Sequence, residues 1–288
     1  MGSFWWYITL KGPDGSEEAL MSAADLAGSC GSEIQELPEG VRIRYYFLSS
    51  NDLGYWQMRL LEALGDGVDV EVEDSGKLEN QQWYRVCEEG FTPVEAGRGF
   101  IITAPWHAQS CGSDRIPLII KPGSAFGTGY HESTRIALGL LEDAREMLGP
   151  GFTLLDVGTG SGILAIGAIK LGAGTVYARD LDGTVLPELR ENLELNHLEG
   201  AVQFEEGDLL KGFQHRVDLI TANILKDPLI SMLPHVHGVL SPRGLCVFSG
   251  LLLSEREEFL SALEANRLRP EKESSQGDWW GVLASNKA

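Results

Sequence analysis

Asp156-Val157-Gly158-Thr159-Gly160-Ser161-Gly162 follows the apolar run Phe152-Thr153-Leu154-Leu155 and opens onto Ile163-Leu164-Ala165-Ile166. This is an apolar strand, then glycine at every second position, then a helix. Such glycines let the backbone turn sharply and approach a ligand at the N-terminus of the following helix. A glycine loop alone is a weak signal, because a dinucleotide dehydrogenase uses a similar one. Its fingerprint, G-x-G-x-x-G, requires glycine at position 163 when counted from Gly158. The chain has Ile163 there.

The loop therefore reads G-x-G-x-G, the spacing of methyltransferases that use S-adenosylmethionine. A nicotinamide-dependent oxidoreductase is the rival on the same kind of sheet. Asp180 suits both, since it ends the next strand 22 residues after Gly158, where a carboxylate accepts the ribose hydroxyls of an adenosine. Asp208, at the end of the third strand, is placed either for the adenine edge or as a loop cap. Asp156 and the main-chain groups around Gly158 and Gly160 are candidates to hold the ammonium end of the cofactor's amino-acid portion.

The surrounding pattern supports a doubly wound sheet. A helix over about His131–Leu148 precedes the loop, and strands TVYARD, AVQFEEGD, VDLITAN and GLCVFSGLL alternate with helical stretches after it. Helix SEREEFLSALEAN and a last strand at DWWGVLASN finish the chain. This alternation implies an α/β fold with a mostly parallel, Rossmann-like sheet and ligands at the carboxyl ends of its strands.

The first eighty residues read differently. FWWYITL, EIQEL, VRIRYYFL and VDVEVED are strand-like, and SEEALMSAADLAG and DLGYWQMRLLEALG are helix-like. Ser16 is a candidate N-cap for the first helix, and Asn51 and Asp52 for the second. The order β-α-β-β-α-β predicts a ferredoxin-like α+β domain over residues 1–80. Residues 81–125 read as a linker with short strands, and residues 126–288 as the catalytic domain. The Trp5-Trp6 and Tyr45-Tyr46 pairs are candidates for core or for a partner surface.

Charge and cysteine usage narrow the function classes. Lys and Arg total 23 against 42 Asp and Glu, a net −19, and residues 1–80 carry 5 basic and 15 acidic side chains, a net −10. Such a field repels a phosphate backbone and attracts a basic partner, so direct nucleic-acid binding is disfavoured. Cys30, Cys87, Cys111 and Cys246 are scattered, and His235 and His237 are two apart, which predicts neither a disulfide framework nor a metal site. No long apolar stretch or basic leader is evident, so a cytoplasmic chain with no membrane span is expected.

Three segments resemble one family, the methyltransferases that modify large-subunit ribosomal protein L11 in bacteria. Pro122-Gly123-Ser124-Ala125-Phe126-Gly127-Thr128-Gly129-Tyr130-His131-Glu132-Ser133-Thr134 is similar to P-G-x-A-F-G-T-G-T-H-x-T-T. The glycine loop with its continuation GILAIGAIKLGA is the second, and Ala222-Asn223-Ile224-Leu225-Lys226-Asp227-Pro228-Leu229, similar to A-N-I-L-x-x-P-L, is the third. The resemblance implies a seven-stranded, mostly parallel methyltransferase sheet, a substrate-recognising N-terminal domain and S-adenosylmethionine as cofactor. It further implies a monomer acting on lysine ε-amino groups of L11, with an N-terminal α-amino group as a further acceptor. A same-fold enzyme acting on another protein lysine or a small amine is the alternative.

Residue by residue, the resemblance implies cofactor contacts at Thr134, Gly158, Asp180 and Asn223. The Asn223 carbonyl faces either cofactor or acceptor amine, which makes it the candidate catalytic residue. Phe126 is expected as an apolar wall, a cation–π partner of the sulfonium, or plain packing. His131 is expected to bond backbone rather than to act as a base. Tyr130, Glu132, Ser133 and Lys226 depart from the family pattern on what is expected to be the acceptor side.

Overall fold

The computed structural model describes residues 4–13, 15–17, 19, 20, 23, 27–29, 31–37, 40–48, 51–64, 70–79, 91–108, 114–122 and 129–286. Contacts divide the chain into two compact units, Met1–Gly90 and Phe91–Ala288.

The first unit holds β1 (Phe4–Gly12), β2 (Gly31–Leu37), β3 (Gly40–Leu48), α1 (Leu53–Leu64) and β4 (Glu71–Glu79). The sheet order is β2-β3-β1-β4 with every neighbouring pair antiparallel, the split arrangement that β-α-β-β-α-β implies. Glu17, Ala19, Leu20, Ala23 and Ala27 are helical. Leu20, Ala23 and Ala27 are buried with Ile8, Leu10, Ile43, Tyr45, Phe47 and Leu60. Asp52 caps α1 as expected, its Oδ1 accepting from Tyr55 N at 2.8 Å. Ser16 instead donates to Pro13 O at 2.7 Å, so its hydroxyl ties the incoming turn. Tyr45 and Tyr46 are both core residues.

Residues from Phe91 onward belong to the second unit. Three short strands, β5 (Val94–Ala96), β6 (Phe100–Thr103) and β7 (Ile116–Ile119), make a small sheet. Its Phe100, Ile102 and Leu118 share one buried cluster with Leu138, Leu141 and Ile166. The Glu142 carboxylate accepts from Arg98 N at 2.7 Å and Gly99 N at 2.6 Å, which closes the β5–β6 turn onto the next helix. β6 and β7 thus pack on helices of the same unit.

That domain runs α2 (Glu132–Leu148), β8 (Thr153–Val157), α3 (Ile163–Lys170), β9 (Thr175–Asp180), α4 (Leu186–Leu195) and β10 (Val202–Glu206). It continues with β11 (Val217–Asn223), α5 (Lys226–Met232), α6 (Val236–Val239), β12 (Leu240–Leu252), α7 (Arg256–Ala265), β13 (Leu268–Gln276) and β14 (Trp279–Asn286). The sheet order is β10-β9-β8-β11-β12-β14-β13. β14 is antiparallel to both neighbours and the rest are parallel.

β8 and β11 lie centrally, and Leu154, Leu155, Val157, Leu219, Ile220 and Ala222 on them are buried, as a strand covered on both faces requires. Strand order reverses between β8 and β11, so a crevice opens beyond their carboxyl ends. β13 has no counterpart in the sequence reading. LRPEKESSQ is polar, exposed and carries Pro270, which only an edge strand tolerates. Its alternation is therefore invisible to an apolar-pattern search.

Candidate active site

Gly158, Gly160 and Gly162 adopt φ of 69°, 50° and 83°, left-handed values that L side chains rarely adopt. The loop is tied down through one carbonyl: Arg179 O accepts from Gly158 N at 2.8 Å and from Thr159 N at 3.0 Å. A Cβ on Gly158 would also overlap Ile224 Cγ2. Two independent constraints thus require glycine there.

Asp180, at the end of β9, receives Gly160 N on Oδ2 at 3.0 Å and Asp182 N on Oδ1 at 3.1 Å. It borders two adjoining cavities. One, about 530 Å³, is lined by Gly158, Gly160, Asn223, Ile224, Leu225, Gly250, His131 and Trp279 among others. The second, about 500 Å³, shares Gly158, Asp180, Ile224 and Leu225 and extends to Gly207, Asp208, Pro228 and Ser231. Gly158, Gly160, Asp180, Asn223 and Asp208 are thereby gathered around one crevice at the switch point.

Two expected contacts line neither cavity. Asp156 is buried and lines neither cavity. Its Oδ1 accepts from Thr221 Oγ1 at 2.7 Å and its Oδ2 from Thr159 Oγ1 at 2.8 Å. It braces the loop from below. Burial without a cation pushes its carboxyl up to about 6, against the pull of the two hydroxyls. Thr134 is likewise fully buried and lies behind the wall, where Asn223 Nδ2 donates to its Oγ1 at 3.1 Å. Phe126 lies outside the described residues.

The Asn223 carboxamide is the most telling group. It ends β11 and borders the larger cavity, and Thr134 holds its nitrogen. Its Oδ1 is buried and has no hydrogen-bond partner among the described residues. A buried carbonyl left this way costs about 1–3 kcal/mol unless a ligand donates to it. His131 caps α2, its Nδ1 receiving Ser133 N at 3.3 Å, and its ring meets Trp279 edge-on at 4.4 Å.

The profile of the family described as "Ribosomal protein L11 methyltransferase (PrmA)" matches residues 15–287. The chain belongs to the ribosomal protein L11 methyltransferase family. It is 35% identical over 263 residues to the ribosomal protein L11 methyltransferase of Caldanaerobacter subterraneus subsp. tengcongensis, covering 86% of this chain and 81% of that one. It is 32% identical over 304 residues to that of Caldicellulosiruptor saccharolyticus, covering 97% and 99%. A crystal structure of ribosomal protein L11 methylase from Lactobacillus delbrueckii subsp. bulgaricus superimposes with a TM-score of 0.63 at 33% identity. It covers 69% of this chain and 100% of that one.

The departures from the L11 methyltransferase pattern are absorbed away from the crevice. Tyr130 packs its ring against Phe91 at 4.9 Å, and Glu132 pairs with Arg135 at 2.9 Å. Lys226 Nζ pairs with Glu258 at 2.8 Å and Glu255 at 3.6 Å. None of the three lines either cavity.

Two contributors went unread in the sequence. Trp279 lines the larger cavity while its neighbour Trp280 is buried; strand alternation in the tandem pair carries that signal. Asn192, fully buried on α4, donates to Ser161 O at 2.9 Å and accepts from Lys121 N at 2.9 Å. Asn196, one turn on, receives Ile119 N at 3.1 Å. Asparagines at i and i+4 beside Leu189 and Leu193 mark a polar clasp on an otherwise apolar face.

Proposed function

We propose that this methyltransferase uses S-adenosylmethionine and transfers methyl groups to lysine ε-amino groups of ribosomal protein L11. The observation that carries the reading is the buried, unpartnered Asn223 Oδ1 beside the glycine loop and Asp180. An amine arriving at the crevice can donate one N–H to that oxygen. Its lone pair is then free to face a methyl donor.

The residues present fit the cofactor. Asp180 offers carboxylate oxygen to ribose hydroxyls, Asp208 offers an acceptor to the adenine edge, and the glycine loop brings backbone close at the N-terminus of α3. When bound, the cofactor supplies an electrophilic methyl on a sulfonium. This chain's own task is alignment and desolvation. Thr134 Oγ1 accepts from Asn223 Nδ2 and so holds the carboxamide at the crevice. Asp156 and Asn192 hold the loop from below and behind. A free lysine amine has a pKa of about 10.4, so the acceptor must shed a proton before attack. His131 has its Nδ1 engaged in capping α2, and water is the proton's destination.

The net −10 of residues 1–80 suits a basic partner, and that unit is the proposed substrate-recognition domain. Tandem mass spectrometry of L11 after incubation with enzyme and S-adenosylmethionine tests the proposal. Methyl groups on lysine side chains are expected. Methylation confined to a different protein or to a small amine overturns the acceptor, and absence of S-adenosylmethionine binding overturns the cofactor.

A further inference from the structure

Resting on the S-adenosylmethionine reading, we propose that Arg179 and Gly207 form a positioning pair that sets the purine specificity of the second cavity. Arg179 stands on β9 immediately before Asp180 and is 5% exposed. Its Nη1 donates to Leu209 O at 2.9 Å and Lys211 O at 3.1 Å, and its Nη2 to Lys211 O at 3.1 Å. The guanidinium therefore gathers the carbonyls of the segment that carries Asp208. Leu209 within that segment has φ of 47°, a conformation that needs outside support.

Gly207 completes the device. A Cβ there would overlap Arg179 Nη2 and lie 2.5 Å from Cζ, so the bare Gly207 backbone lies against the guanidinium. Gly207 N also donates to Asp180 O at 2.8 Å. Glu205 supplies a carboxylate 3.7 Å from Arg179 Nε, and the Phe213 ring lies beneath Cζ at 5.7 Å. Arg179 O meanwhile holds Gly158 N and Thr159 N. One residue thus ties the glycine loop by its carbonyl and the Asp208 loop by its side chain, with the ribose carboxylate next in sequence. A carboxylate fixed at the purine edge accepts from a 6-amino group and repels a 6-oxo group, so the pair is a specificity device.

The test is isothermal calorimetry of the full chain with S-adenosylhomocysteine and S-inosylhomocysteine, alongside steady-state kinetics. Arg179→Gln removes the multiple carbonyl contacts, Arg179→Lys retains one donor, and Gly207→Ala displaces the guanidinium from the opposite side. Thermal melts select variants that remain folded. Arg179→Gln and Gly207→Ala are expected to lower the preference for the adenine ligand about tenfold. KM for S-adenosylmethionine rises, kcat stays near wild type, and Arg179→Lys recovers part of the preference. Folded variants with wild-type preference overturn the pair. Failure of the wild-type enzyme to bind S-adenosylhomocysteine overturns the cofactor reading instead.

Discussion

Asn223 Nδ2 stands 3.1 Å from Thr134 Oγ1, across 89 residues of chain, while Asn223 Oδ1 is buried with no partner among the described residues. The donor end is held, and the buried acceptor end is left for a ligand's donor. Thr134 thereby fixes the position of the carboxamide. Asn223→Ala is expected to lower kcat about 100-fold or more while S-adenosylhomocysteine affinity changes by less than about threefold. Thr134→Val, which frees the amide to rotate, is expected to cost about tenfold. Initial rates at saturating cofactor measure both, and wild-type kcat in the Asn223 variant rejects the assignment.

Asp156 gives a pH signature. Its carboxyl stands at about 6 in the folded chain, above its ordinary value of 3.8, chiefly through burial and secondarily through the charge of Asp180. The folded state therefore binds the proton more tightly than the unfolded one. The stabilisation this gives is complete below about pH 4 and is lost as pH rises through 6. Asp156→Asn has no such titration. The stability of wild type minus that of the variant is expected to fall by about 2–3 kcal/mol between pH 4 and 6.5. Urea melts across that range measure it; a flat difference would place the titration elsewhere.

Asn192 clasps the glycine loop through Ser161 O and the β7 exit through Lys121 N. Replacing it with alanine leaves two buried backbone groups without partners. A loss of about 2–4 kcal/mol is expected, read as a lower urea midpoint with weaker S-adenosylhomocysteine binding. A variant as stable as wild type would show that water takes over both bonds.

Gly158→Ala meets both a φ of 69° and the Ile224 side chain. A penalty of about 1–3 kcal/mol is expected from backbone strain before the overlap is counted. The larger consequence is a displaced loop. Cofactor affinity, followed by calorimetry, should fall more steeply than the melting temperature.

The sheet was legible in the sequence because its central strands are apolar on both faces and its helices are not. The G-x-G-x-G spacing with Ile163 separated two cofactor classes for the same reason, since loop geometry is written in glycine positions. What stayed hidden is polar chemistry resolved only in three dimensions. β13 pairs through backbone beneath a polar, exposed sequence. Asp156 has the right type and position for a ligand contact, yet Thr159 and Thr221 draw its oxygens below the loop. Asn192 and Arg179 read as ordinary helix and strand residues until the carbonyls they serve, dozens of residues away, are known.

The central claim is tested most directly by intact-mass analysis of ribosomal protein L11 incubated with S-adenosylmethionine and either the wild-type enzyme or its Asp180→Ala variant. The account predicts increments of one methyl mass each with wild type, lost or strongly reduced with the variant. An unchanged L11 mass with wild-type enzyme that binds S-adenosylmethionine would contradict the assigned acceptor, and equal methylation by the variant would contradict the assigned site.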